Sequence, residues 1–170
     1  DVRDYDRLSA AIAGHDTVIH AAAMKRIPEC EQQPEECWRI NVLGSSNVVR
    51  ACLSNDVVRC VGLSTDKACR ATTMYGASKL QMEKLFRAQE RLADRCAFTL
   101  LRYGNVVSSR GSVVELWQKQ EKEFGEITIT NPEMTRFFLS PFLAVQLIEI
   151  AANLPAGLCL VPRLGSLSMD

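Results

Sequence analysis

"RCVGLSTDKACRATTMYGASK", residues 59–79, runs from an apolar stretch through a polar loop into a helical pattern. Cys60, Val61 and Leu63 make its first part read as a short strand buried on both faces. Tyr75 and Lys79 stand four apart at the start of the helix, on one face. The same rhythm recurs along the chain. "TVIH" (17–20), "FTLLR" (98–102) and "LCLV" (158–161) also read as strands buried on both faces. Helical patterns occupy about 34–54, 75–94, 111–123 and 141–153, and Pro34 with Glu35 and Glu36 suits the first turn of the first of these. Strands alternating with helices imply parallel pairing through right-handed crossovers, hence a doubly wound α/β sheet of Rossmann type.

Composition narrows the function classes. A chain of 170 residues with 47% hydrophobic and 24% charged residues is one folded domain's worth, with no disorder signature. Twenty acidic and twenty basic residues cancel, so no overall field draws nucleic acid or an anionic membrane. The apolar runs are too short to span a bilayer. Seven cysteines lie scattered without C-x-x-C pairs or histidines at metal spacing, which points to reduced thiols in a cytosol and to no metal site.

Both ends are unusual. An α/β nucleotide fold opens on a glycine-rich phosphate loop, and none precedes "DVRDYDRL", which reads as a loop or strand end running into a helix. "LGSLSMD" follows directly on a strand. The expectation is a segment truncated at both ends, without its first strands and phosphate loop.

The polar residues cluster after strands. A phenol is a poor base near neutral pH, but an ammonium in a low-dielectric pocket stabilises its phenolate. Tyr75 with Lys79 therefore suits removal of an alcohol proton as hydride leaves the same carbon. The alternative is an ordinary solvated pair, since Y-x-x-x-K arises often by chance. Position favours chemistry: open α/β sheets hold ligands beyond strand C-terminal ends, where Ser64 and Thr65 fall. Asp66 and Lys67 read either as turn residues or as a second acid–base pair. Next to a transient ketone, Lys67 can remove the acidified neighbouring C–H proton while Asp66 protonates a departing hydroxyl, eliminating water.

Four other places carry polar residues that suit a ligand. Asn41 shares a helical stripe with Cys37, Val48 and Cys52, and bonds either local backbone or the active-site loop and cofactor. His20 ends a strand before three alanines that are either a packed strand end or small enough for close ligand approach, with Lys25 after them as a loop cation or a phosphate contact. "RYGNVVSSRGS" (102–112) places Asn105, Ser108, Ser109 and Arg110 before a helix N-terminus, which suits an anion. Arg136, in "TNPEMTRFF" (130–138), pairs with a buried carboxylate or reads a phosphate.

Together "DVRD", "HAAAMKRIPECEQQPEECWRINVLGSSNVVRACL", "LSTDKA", "YGASK", "RYGNVVSSRGSVV" and "TNPEMTRFF" make the chain resemble the extended short-chain dehydrogenase/reductase family. Within it, the chain is similar to the UDP-N-acetylglucosamine 4,6-dehydratases of the polysaccharide-biosynthesis (CapD-like) group. A UDP-glucose 4-epimerase shares Y-x-x-x-K but is expected to lack the Asp–Lys step. The resemblance implies NADP as cofactor, a UDP-sugar as substrate, a homo-oligomer, and an NADP-binding part followed from about 105 by the beginning of the sugar-nucleotide part. It assigns C4 oxidation to Tyr75, aided by Lys79 and Thr65, and elimination across C5 and C6 to Lys67 and Asp66. Asp1 and Val2 are expected at adenine; Ala22, Lys25, Asn41, Val106 and Arg110 along the cofactor; Asn105, Arg136 and Thr130 at the UDP-sugar, with Lys25 near a substrate hydroxyl. Some members have Met at the position of Tyr75, so the tyrosine places the chain with the soluble branch that inverts C5 and feeds pseudaminic-acid synthesis. Ser108 departs from the family's frequent glycine.

Overall fold

The computed structural model describes residues 1–92, 94–107, 109, 112–129 and 131–168. It divides into two compact units, Asp1–Arg102 with Ile148–Val161, and Tyr103–Leu147 with Pro162–Asp170.

The first unit is built on β1 (Thr17–His20), β2 (Arg59–Thr65), β3 (Ala97–Tyr103) and β6 (Cys159–Leu160), in the order β1-β2-β3-β6. β1 runs parallel to β2 with Ile19 opposite Val61, and β3 parallel to β6 with Leu100 opposite Cys159. Helices α1 (Tyr5–Ile12), α4 (Gly44–Ser54) and α5 (Met74–Arg87) supply apolar stripes to one core. Val48 and Cys52 of α4, Met82 and Phe86 of α5, and Phe98 and Leu100 of β3 meet there. Phe86 stands edge-on to Phe98 at 5.6 Å. Gly62 lets α5 lie this close to the sheet, because a Cβ on it would fall 2.7 Å from a Phe86 ring carbon. Arg59 donates to the carbonyls of Ala152 (2.9 Å) and Leu154 (3.3 Å), closing the end of α7 (Pro141–Ala152).

Three expectations are corrected. β2 and β3 are buried strands, with Val61 and Leu101 fully enclosed, but the flanking strands are not buried on both faces. Ile19 of β1 is 51% exposed, and Leu158 and Val161 beside β6 are 48% and 60% exposed. In this sheet each flanking strand has a single neighbour. The helix expected over 34–54 is α3 (Pro34–Trp38), a π-helical turn at Arg39–Leu43, and α4. The helix expected to reach 94 stops as α5 at Arg87 and tightens into a 3-10 turn, Ala88–Leu92. A further short helix, α2 (Ile27–Gln32), with Pro28 in its first turn, is not among the helices the pattern announces.

The second unit carries a small sheet of β4 (Asn105–Val106), β5 (Thr135–Leu139) and β7 (Ser166–Ser168). β4 is parallel to β5 and β7 antiparallel to it. β4 and β7, of two and three residues, have no period to read, so the sequence does not announce them. Its helix α6 (Val113–Phe124) is capped by Ser112, which accepts from the Glu115 N–H at 3.4 Å, and stops at Gly125 in the left-handed conformation.

Candidate active site

β2 ends at Thr65, whose buried hydroxyl organises the turn that follows. Its Oγ1 accepts from the Lys67 N–H at 3.3 Å, capping the 3-10 turn Asp66–Ala68, and donates to Asp66 Oδ1 at 2.9 Å. The same oxygen of Asp66 accepts from Lys67 Nζ at 3.0 Å. Hydroxyl, carboxylate and ammonium thus share one corner, with the Asp66 and Lys67 side chains 25% and 30% exposed.

This turn presses onto the start of α5 through Gly76. A Cβ at Gly76 would fall 2.3 Å from the Lys67 carbonyl oxygen, so only hydrogen there lets the two segments meet. α5 begins where Thr73 accepts from the Gly76 N–H at 3.1 Å and Glu31 of α2 accepts from the Met74 N–H at 2.7 Å. Tyr75, half-buried, stands in the first turn, where the helix dipole favours a phenolate.

Lys79 departs from a solvated helix pair: it is 3% exposed. Burial pulls its ammonium down to about 8, while the charge of Glu83 and the Cys37 sulfur work to hold it up. Its hydrogen-bond acceptor is the Met82 thioether at 3.2 Å, a weak partner that leaves N–H donors for a ligand.

Asn41 sits fully buried inside the π-helical turn. Its Oδ1 accepts from the Met24 N–H at 2.8 Å, and its Nδ2 donates to the Met24 carbonyl and to Ser78 Oγ, each at 2.9 Å. One amide therefore ties the loop carrying Lys25 to the helix carrying Tyr75 and Lys79. The turn is braced from β1. Ser45 donates to the Asn41 carbonyl at 2.6 Å and lies 2.8 Å from His20 Nε2, which therefore donates to it. Burial, then the charge of Lys79, pushes His20 down to about 3, so it is neutral.

Asp1 pairs with Arg3 at 2.5 Å, and Val2 packs where a Gly44 side chain would stand. Asn47 donates to the Val2 carbonyl at 3.0 Å, fixing that segment on α4. Ala22 and Lys25 are exposed. In the second unit, Asn105 pairs in register with Phe138, two residues along β5 from Arg136, so Asn105 and Arg136 share a face of that sheet. Arg136 donates to the Thr135 carbonyl and the Met134 thioether, and no carboxylate pairs with it among the described residues. Ser108, Arg110 and Thr130 lie outside the described residues.

The sequence reading missed Glu83 and Arg102. Glu83 is buried, salt-bridged to Arg102 at 2.5 Å. The available signal was spacing, since Tyr75, Lys79 and Glu83 repeat every four residues on one stripe of α5. Among the described residues, no three His, Cys, Asp or Glu side chains gather as metal ligands, and no helix is long and apolar enough to cross a membrane.

A parallel α/β sheet with polar side chains gathered beyond the C-terminal end of one strand and on the next helix is a Rossmann-type fold. More narrowly, the chain belongs to the polysaccharide biosynthesis protein family, whose description matches residues 1–166. It is 50% identical over 143 residues to the UDP-N-acetylglucosamine 4,6-dehydratase (inverting) of Campylobacter jejuni, covering 82% of this chain and 43% of that protein. It is 45% identical over 153 residues to a UDP-glucose 4-epimerase of Rickettsia bellii, covering 89% of this chain and 45% of that protein. Among solved structures, Pen from Bacillus thuringiensis matches with a TM-score of 0.95 and 36% identity, over 99% of this chain and 53% of that one. A dTDP-glucose 4,6-dehydratase double mutant from Streptomyces venezuelae, solved with NAD, shares the fold at a TM-score of 0.85 and 18% identity, over 94% of this chain and 55% of that one. The chain thus spans less than half the length of the two curated relatives.

Proposed function

We propose that the chain is the catalytic segment of an NADP-dependent UDP-N-acetylglucosamine 4,6-dehydratase that inverts C5. The observation that carries this reading is the Asp66–Lys67 pair, hydrogen-bonded at 3.0 Å on a turn packed against the first turn of α5. Oxidation at C4 alone needs one base with its supporting cation. A second acid and base beside the first fit a reaction that also breaks a C–H and a C–O bond.

The residues fit a nicotinamide dinucleotide. Lys79 keeps ammonium donors for ribose hydroxyls, and the run of alanines after His20 leaves room for close approach. Asp1 and Val2 would meet adenine, with Ala22, Lys25, Asn41, Val106 and Arg110 along the rest of the molecule. Bound NADP would supply the hydride acceptor for C4 and the hydride donor for C6. Tyr75 takes the C4 hydroxyl proton, with Thr65 aligning that hydroxyl and Lys79 stabilising the phenolate. Lys67 removes the C5 proton, made acidic by the adjacent ketone, and Asp66 protonates the departing C6 hydroxyl. Solvent water protonates C5 on the face opposite Lys67, while Lys67 returns its proton to Asp66 and Tyr75 releases its proton to solvent, which gives inversion. Asn105, Arg136 and Thr130 hold the UDP-sugar; the lack of a carboxylate partner for Arg136 among the described residues favours its phosphate-reading role. The unpaired, mostly buried cysteines suit a reducing cytoplasm. The reading takes the enzyme to be a homo-oligomer, which light scattering decides.

The second reading, a UDP-sugar 4-epimerase, is favoured by the Rickettsia bellii relative. Incubating the intact natural protein with UDP-N-acetylglucosamine and NADP separates the two. A product lighter by one water, carrying solvent deuterium at C5 when made in heavy water, is expected. Unchanged mass with inversion at C4 overturns the dehydratase in favour of the epimerase.

A further inference from the structure

Glu83 is 2% exposed and has no part in the steps above. A buried carboxylate costs several kcal/mol unless charge and hydrogen bonds compensate. Both of its oxygens are compensated. Oε1 accepts from Ser64 Oγ at 2.6 Å and Arg102 Nε at 3.0 Å, and Oε2 accepts from Arg102 Nη2 at 2.5 Å. An Arg–Glu pair of this kind can be purely structural. Its neighbour Lys79, one helical turn earlier on the same stripe, argues for more. That ammonium is buried with only a thioether to bond among the described residues, so it needs an opposing charge to remain an ammonium. Ser64 and Arg102 occupy the carboxylate oxygens, so Glu83 acts on Lys79 through space without clamping it, and the Lys79 donors stay available.

We propose that Glu83, anchored by Arg102 and Ser64, is a positioning residue that holds Lys79 charged and thereby sets the pH range in which Tyr75 works as the base. The inference rests on the assignment of Tyr75 and Lys79 to C4 oxidation. Glu83 from α5, Cys37 from α3 and His20 from β1 interact with Lys79, Tyr75 stands one turn before it on α5, and the Asp66–Lys67 turn packs on the same helix. Neutral His20 brings no charge to the balance. Glu83 works against the burial that draws Lys79 down to about 8, so its loss moves Lys79 further down.

The test is a pH titration of 13Cε-lysine-labelled intact protein by NMR, with the Lys79 resonance assigned by its loss in Lys79→Arg. Glu83→Gln strands Arg102 as a buried unpaired cation, so the double variant Glu83→Gln/Arg102→Met, which removes both charges, is measured beside it. Expected in any folded variant is a fall of the Lys79 midpoint by about one pH unit or more, with the pH–rate profile of C4 oxidation moving the same way. An unchanged midpoint overturns the proposal. So does a fallen midpoint with an unmoved profile, since Glu83 then holds Lys79 without serving the reaction. Absence of C4 oxidation by the unaltered protein strikes at the underlying assignment instead, and the midpoint still shows whether Glu83 holds the charge.

Discussion

The two lysines of the candidate site sit in opposite surroundings. Lys67 is about a third exposed and bonds its carboxylate directly, at 3.0 Å. Lys79 is buried, bonds only a thioether, and feels its carboxylate from one helical turn away. In the proposed reaction Lys67 must give up a proton and take one back in every turnover. Proximity to water and an adjacent carboxylate serve that exchange. Lys79 must instead keep its charge and project it onto Tyr75, and a dry pocket amplifies that field. On this proposal the same side chain serves as a proton carrier in one place and a fixed charge in the other.

The comparison breaks most sharply by truncating each lysine in turn. Lys79→Ala is expected to lower C4 oxidation by about 10²–10⁴-fold, read as the rate of NADPH absorbance in single turnover. Lys67→Ala should leave that absorbance step in place and abolish deuterium exchange at C5. Equal loss of both steps in both variants would erase the division of labour.

The dryness around Lys79 extends to His20, and pH tests it. Both are bases whose pKa is lower folded than unfolded, so the unfolded chain binds the extra proton and stability rises with pH across each window. For His20 the window is about 3 to 6.5, and for Lys79 about 8 to 10.5. Acidification from pH 6.5 to 4 is therefore expected to cost about 3 kcal/mol through His20, measured by urea unfolding. His20→Gln should flatten that slope.

Gly76 joins the two halves, and Gly76→Ala sharpens the contrast further. Its methyl would fall within contact of the Lys67 backbone, and overpacking of this kind costs about 1–3 kcal/mol. Elimination should suffer more than oxidation, because the turn carrying Lys67 has to move. The smallest effect on stability belongs to the partly exposed pair. Asp66→Asn should change the unfolding free energy by less than about 1 kcal/mol while stopping water loss, since partly exposed ion pairs contribute little to stability.

Much of this arrangement is written in residue spacing. The apolar runs at 59–63 and 98–102 become the central strands β2 and β3, because burial on both faces leaves an unbroken hydrophobic signature. Tyr75, Lys79 and the Thr65–Lys67 corner fall where the strand–loop–helix order puts them. What the sequence hides is partnership. Glu83 looks like any helical surface charge until Arg102 is brought to it from β3. Asn41 bonds Met24 and Ser78, far from it in the chain, and no local pattern names them. The exposure of Ile19 follows from the place of β1 in the sheet rather than from its own residues.

The π-helical turn at Arg39–Leu43 sets helix stability against assembly of the site. Removing one residue from it would restore regular α-helical hydrogen bonding while swinging whatever precedes the cut by about 100° relative to α4. Asn41 could then no longer face both Met24 and Ser78, so the loop bearing Lys25 and the helix bearing Tyr75 would come apart. A variant selected only for a higher melting temperature is drawn toward that repair.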